Sequence, residues 1–493
     1  MSHASDAKTG GWPFALMAAS VVLLALRMFV AADAGLTEDE AYYRLWGLAP
    51  AMSYLDHPAM AGWLIAAGRW IAGDTALGVR LAAVLAPLLG TVLLWRTTQI
   101  LFGRVAAERA AWFGLAMPLL AVGGVVMTPD VPSVLTWGLT GWATAELYCS
   151  GRRQWWLAIG VFAGLGLLSK YTNLFAGLGL GIWLLATPKG RIWLLTPWPW
   201  AAGLIALLGA VPAVVWNWQH HWASFDKQFS RIGAGEGLTY RYFGELAGGL
   251  VGLLSPAIAA LAIIGIWRAA KVARRDLGAP EALMLCSIGP LGLYLLVHSL
   301  HDRVQANWPA PLYPALAIFA ALALREGGRW TAQLGRFALP VGFGLSGLIY
   351  LHAVHPLIRP EGDADPMAQM RGWPAFAAGI EAKRKEAGAS WIATSSYATT
   401  GELAFAVPPA VQVLQLNERI RYVQLPPVPP EVTTGPGLYV ELQRRADPAL
   451  LQQRFKTVRD LGVAMRSDGG VPIQAYALYL VANPIRPPLD PAP

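Results

Sequence analysis

Long apolar runs separated by short polar breaks fill the first two-thirds of the chain. They lie near 12–31, 76–101, 105–126, 131–149, 154–169, 173–187, 198–216, 246–267, 281–299, 309–324 and 333–351. At about 16 to 25 residues each, most match the length a helix needs to cross a hydrocarbon core of roughly 30 Å. The pattern predicts a polytopic α-helical membrane protein of about 11 spans. Past His352 the apolar runs shorten and charges become denser. Runs near 391–395, 411–416, 437–442, 457–464 and 473–481 have strand length, and 373–386 and 396–406 read as helices. The expected organisation is a membrane domain over 1–351, with outer interfacial helices near 37–72, followed by a small α/β soluble domain over 352–493.

Composition agrees with this pattern. The chain is 55% hydrophobic and 14% charged, whereas a soluble domain carries about a quarter charged residues. A lone signal peptide is excluded. The two cysteines, Cys149 and Cys286, lie in apolar segments far apart in sequence, which excludes a disulfide framework and a cysteine metal knuckle. From His352 onward there are about 14 basic against 13 acidic residues, so most of the net charge of +8 belongs to the membrane half. Positive-inside bias accounts for it without invoking nucleic acid.

With a cytoplasmic N-terminus, the inner loops hold Arg104, Arg109, Arg152, Arg153, Lys189, Arg191, Arg268, Lys271, Arg274, Arg275, Arg325, Arg329 and Arg336. The outer loops then hold Glu38, Asp39, Glu40, Asp56, His57, Asp130, Lys170, His220, His221, Asp226, Glu236, His301, Asp302 and Arg303. The uncommon polar chemistry falls on one predicted face, extracytoplasmic, together with the C-terminal domain.

After the first span, Thr37 and Glu40 have capping-box spacing. Glu40 can also pair with Arg44 one turn on, and Glu38 suits the positive end of the helix dipole. Asp39 has no such local task. It shares a helix face with Tyr42, Tyr43 and Trp46, at i, i+3, i+4 and i+7. Two readings are open: a general base beside an amphipathic substrate, or an interfacial helix with aromatics at headgroup depth and a solvated acid. Asp56 and His57, before Pro58, serve a polar ligand or a turn. The run from Trp63 to Ile71 is too short to span and suits the interface.

Asp130, in Thr128-Pro129-Asp130, is close to the hydrocarbon boundary and either caps the next helix or acts in function. Lys170 sits in a tight outer turn, against the positive-inside bias, suited to a phosphate or snorkelling. The loop from Trp216 to Trp222, with Trp218 and His221, is dense in aromatics; two adjacent histidines without a third ligand do not make a zinc site. Arg303 precedes Asn307-Trp308-Pro309.

In order, these residues form an Asp-Glu-x-x-Tyr segment, an aromatic-Leu-Asp-His-Pro segment, a Thr-Pro-Asp loop, a Gly-x-x-x-x-Ser-Lys turn and a late Arg before Asn-Trp-Pro. The chain thereby resembles the protein O-mannosyltransferase and lipid A aminoarabinose transferase families of the C-type integral-membrane glycosyltransferases. Tyr397 through Phe405 also resembles a segment in the outer domain of bacterial members. The resemblance implies a polyprenyl-phosphate-linked sugar donor and an extracytoplasmic acceptor, such as lipid A, another glycolipid or a protein, in a bacterial inner membrane. It implies a catalytic carboxylate at Asp39, read as the base at the acceptor hydroxyl, and places Lys170 and Arg303 near the donor phosphate; Asp130 is the second catalytic candidate, to hold the sugar or the acceptor, and His57 a further candidate at the phosphate. Glu40, Tyr43, Asp56, Trp218 and His221 are the candidates to line the substrate. The chain departs from the aminoarabinose transferases at Asp56-His57-Pro58, where they tend to carry Lys-Pro.

No cofactor is implied. Asp39 and Asp130 could bind a divalent cation, but no oxygen-rich metal loop is present, and no metal ligand is assigned. The competing readings are a lipid-linked sugar flippase, which would be expected to show internal repeats with mid-membrane polar groups, and a ligase or polymerase of lipid-linked glycans.

Overall fold

The computed structural model describes residues 12–233 and 237–491; Glu236 of the outer loops lies outside them. Contacts divide the chain into two units. The first takes in residues up to Phe29, Met52–Ala61 and Leu81–Tyr350. The second takes in Val30–Ala51, Gly62–Arg80 and everything from Leu351 onward. The segment near 37–72, expected to accompany the membrane half, is therefore divided, and most of it groups with the C-terminal residues.

Among the described residues, six helices are long and apolar enough to cross a membrane: Phe14–Asp33, Ala76–Phe102, Trp198–Gln219, Pro256–Arg275, Pro280–His298 and Arg329–Val354. Eleven apolar runs do not become eleven long apolar helices, for local reasons. Pro118 follows a break at Met117 and splits 105–126 into Arg104–Ala116 and Pro118–Val122. Ser255, at φ +71°, and Pro256 split the run near 246–267 into Arg241–Leu254 and Pro256–Arg275, because proline cannot continue the preceding hydrogen-bond ladder. Trp155–Ser169, Leu174–Ala186 and Tyr313–Ala323 have only 15, 13 and 11 residues.

Close backbone approach holds part of the first unit together. A Cβ on Gly209 would lie 2.3 Å from the Gly164 carbonyl oxygen, and one on Gly160 would lie 2.7 Å from that of Ala202. Between Trp155–Ser169 and Trp198–Gln219 only glycine permits this contact, the small-residue packing that apolar helices use where lipid supplies no hydrophobic drive.

The second unit contains a five-stranded sheet of β1 (Trp391–Thr394), β2 (Val413–Gln415), β3 (Gly437–Leu442), β4 (Phe455–Asp468) and β5 (Val471–Pro484), in the order β2-β1-β3-β5-β4. β1 runs parallel to β2 and β3, whereas β5 runs antiparallel to β3 and β4. Alternation along the strands feeds two cores. Ile392, Leu438, Val440 and Leu478 pack with Trp373, Phe376 and Ile380; Trp391, Ala393, Tyr439 and Val481 pack with Leu451 and Phe455. Gly469 and Gly470, both with positive φ, supply the two-residue turn between β4 and β5.

Candidate functional site

In the first unit, three separate loops meet at one carboxylate. Asp130 begins the Asp130–Ser150 helix directly after Pro129. Lys170 ends Trp155–Ser169 in extended backbone, where its Nζ donates to Asp130 Oδ1 at 2.6 Å. Asn307 Nδ2 donates to Asp130 Oδ2 at 2.6 Å. Asp130 and Lys170 are both buried, so each satisfies the charge the other could not carry alone. One turn on, Asn173 Nδ2 donates to Ser133 Oγ at 2.7 Å and ties the Lys170 turn to the Asp130 helix. Asn307 belongs to the Asn-Trp-Pro motif but was not among the residues predicted for the site. Arg303, four residues earlier, is bonded instead to Glu245 Oε2 at 2.7 Å, with its side chain mostly exposed.

Asp56 and His57 occupy a tight turn closed by a bridge between Ser53 and Pro58 and by Tyr54 N donating to His57 O. The turn reading and a charge contact both hold here. Lys227 Nζ lies 2.7 Å from Asp56 Oδ1, and Gln228 Nε2 donates to the Asp56 carbonyl. Trp218 is exposed, and His221 and Trp222 adopt left-handed backbone conformations. The buried Asn217 organises this turn: its Oδ1 accepts from Phe225 N and its carbonyl from Trp222 N. His220 stacks on Trp216 with ring centroids 4.2 Å apart. Among the described residues, no group of three or more His, Cys, Asp or Glu side chains is arranged to hold a metal ion.

In the second unit, Thr37 and Glu40 form the predicted capping box at the start of Glu38–Leu48. The Glu40 carboxylate also receives Arg80 Nε and Nη2, at 2.8 and 2.7 Å, with both side chains almost wholly buried. That leaves Glu40 no exposed oxygen for a substrate. The expected Glu40–Arg44 pair does not form. Arg44 and Arg69 both bond Asp74 instead, and against the upward push of burial they hold its carboxyl down at about 2.

Asp39 is exposed, and its Oδ1 accepts from Tyr397 Oη at 3.2 Å. The aromatic stripe expected beside it turns inward. Tyr42, Tyr43 and Trp46 are buried, and the Tyr42 ring centroid lies 5.0 Å from that of Tyr397. A Cβ on Gly401 would lie 2.6 Å from Tyr42 N, so the Glu38–Leu48 and Tyr397–Ala406 helices touch backbone to backbone. Arg421 places its guanidinium 4.9 Å from the Tyr397 ring centroid and 5.6 Å from that of Tyr42. The aromatics of this helix thus pack inward, while the carboxylate of Asp39 stays exposed at its first turn. Beneath it, Glu402 is buried with Oε1 lacking a hydrogen-bond partner among the described residues, and burial, reinforced by Glu38, pushes its carboxyl far above the ordinary range.

A family described as dolichyl-phosphate-mannose-protein mannosyltransferase matches residues 56–216. The lipid A galacturonosyltransferase RgtD of Rhizobium johnstonii is 26% identical over 347 residues, which cover 66% of this chain and 68% of that one. Among solved structures, ArnT from Cupriavidus metallidurans bound to undecaprenyl phosphate is similar with a TM-score of 0.67 and 15% identity, covering 97% of this chain and 98% of that one. An oligosaccharyltransferase from Archaeoglobus fulgidus is similar with a TM-score of 0.52 and 11% identity, covering 81% and 63%. The two structural likenesses are likenesses of fold.

Proposed function

We propose that the chain is a C-type integral-membrane glycosyltransferase, which transfers a sugar from a polyprenyl-phosphate-linked donor to an extracytoplasmic acceptor by one inverting displacement. The proposed acceptor class is lipid A or a related glycolipid, as the name of the RgtD relative suggests. The observation that carries the reading is the meeting of three loop motifs where Lys170 and Asn307 both bond the buried Asp130.

The acceptor oxygen forms a bond to the anomeric carbon as the bond from that carbon to the carrier phosphate breaks. The phosphate leaves with the electron pair, so cationic donors at its oxygens lower the barrier. The Lys170 ammonium has three donors. One is held by Asp130, which sets the direction of the other two toward the phosphate. Arg303 and His57 are proposed as further phosphate contacts, and Tyr43, Asp56, Trp218 and His221 as residues that contact substrate. Asp39 is proposed as the base that removes the proton of an acceptor hydroxyl. For an acceptor that is itself an ionised phosphate, Asp39 orients it and removes no proton.

The test is a transfer assay in membranes, pairing a panel of polyprenyl-phosphate sugars, hexosyl and pentosyl, with lipid A acceptors. One donor is expected to yield glycosylated acceptor and to lose turnover when Lys170 is replaced by glutamate. Vectorial movement of the donor without transfer would favour a flippase and reject the proposal.

A further inference from the structure

Arg27 lies in the apolar Phe14–Asp33 helix, six residues before its end, or roughly 9 Å of helical rise. It is 2% exposed. Its Nε donates to Tyr350 Oη at 3.2 Å, and that hydroxyl donates to the Ala121 carbonyl at 2.7 Å, so the tyrosine holds the guanidinium in one orientation. Gly124 leaves the space it occupies, since a Cβ there would lie 2.7 Å from Arg27 Nε.

Other buried arginines of this chain are met by protein acceptors: Arg80 by Glu40 and three carbonyls, Arg454 by Asp490 and two carbonyls. Arg27 is not. Among the described residues, no carboxylate lies within ion-pair distance of it, and no acceptor meets its terminal nitrogens. Instead it lines a cavity of about 250 Å³ whose walls are mostly apolar, with Pro87, Leu94, Leu119 and Val126 among them. Asp130 and Asn307 line the same cavity, but both Asp130 oxygens are already engaged and its charge is matched by Lys170. The uncompensated charge of the cavity is the guanidinium, in surroundings where a lone cation is costly.

We propose that Arg27 is the anion-receiving residue of an intramembrane site for an amphiphile with a phosphate head and an apolar chain. The planar fork of arginine suits phosphate oxygens, and the abundant anionic amphiphiles of a membrane carry phosphate. The ligand is either a prenyl phosphate or an anionic phospholipid, which share this chemistry. The prenyl phosphate arm rests on the transfer reading, whose carrier it is, whereas binding of an anionic phospholipid stands without it.

The test uses the full chain in dodecyl maltoside micelles and native mass spectrometry. One arm compares farnesyl phosphate with farnesol; the other compares dioleoyl phosphatidylglycerol with dioleoylglycerol. In at least one arm the phosphate-bearing probe is expected to bind about tenfold or more tightly, which identifies the source. Arg27→Gln should abolish that preference, and Arg27→Lys should keep part of it. Equal binding of each probe and its phosphate-free counterpart to the unaltered protein overturns the proposal, as does an Arg27→Gln protein that keeps the preference. Should Arg27→Gln fail to fold, diazirine-bearing versions of the preferred probe decide the matter on the unaltered chain. Crosslinks at Pro87, Leu119 or Val126 support the site, and labelling confined to other segments overturns it.

Discussion

Lys170 Nζ lies 2.6 Å from Asp130 Oδ1, with each side chain about nine-tenths buried. A pair of this kind is worth little against a well-packed apolar replacement, but removing one partner strands a charge and costs roughly 3–5 kcal/mol. Lys170→Met is therefore expected to lower the thermal midpoint in detergent sharply. The double replacement Lys170→Met with Asp130→Asn should recover most of the midpoint and none of the transfer. Recovery of transfer along with stability would assign the pair to folding alone.

Asp39 presents the opposite balance. Exposed at the first turn of its helix, it can be neutralised with a change in stability within about 0.5 kcal/mol. If it removes a proton from an acceptor hydroxyl, Asp39→Asn should cut turnover by about 10²- to 10⁴-fold at saturating donor. Tyr397→Phe removes the hydroxyl 3.2 Å from its carboxylate and should cost about 1 kcal/mol of transition-state stabilisation, a few-fold in turnover, with the fold intact. Single-turnover kinetics on both variants separates the roles, and near-normal turnover of Asp39→Asn rejects it as the base.

The sequence carried the elements more clearly than their partnerships. Every short apolar run past His352 became a strand or helix near its expected position, because periods of two and 3.6 are local properties. The Thr37–Glu40 box was legible for the same reason. Arg80, by contrast, lies 40 residues from Glu40, and no local spacing announces a pair made through the fold. Asn307 was visible as part of a motif, yet nothing in an Asn-Trp-Pro tripeptide says that its amide reaches Asp130. Helix ends suffered most in the membrane half: hydrophobicity is continuous across Ser255 and Met117, whereas the hydrogen-bond ladder is not.

Glu40 and Arg80 give a prediction that separates architecture from chemistry. Arg80 reaches the Ala31, Ala34 and Gly35 carbonyls as well as the carboxylate, so it ties the end of the Phe14–Asp33 helix to the start of Glu38–Leu48. Arg80→Met strands a buried carboxylate and three acceptors and should destabilise by at least about 3–5 kcal/mol. Glu40→Gln keeps hydrogen-bond acceptors but strands the arginine charge, and should fall between Arg80→Met and the unaltered chain. Thermal melts in detergent check the order, and a Glu40→Gln protein that melts normally but no longer binds donor would restore Glu40 to the substrate.

Glu402 makes stability depend on pH in a direction opposite to that of most carboxylates. Burial, then the nearby Glu38 and Glu40, raise its folded-state carboxyl pKa well above the ordinary value of 4.5, while Arg466 and Arg80 pull the other way. Between the ordinary value and the raised one the folded chain binds a proton that the unfolded chain has released. Stability from this group is therefore complete below about pH 4.5 and declines as pH rises toward the folded value. Glu402→Gln, which carries no charge at any pH, removes that decline. The variant should melt close to the unaltered chain near pH 4 and at a higher temperature near pH 8, with the gap widening between. A constant gap across that range would mean that Glu402 is ionised in the folded state, its charge met by Arg466 or Arg80 in spite of its burial.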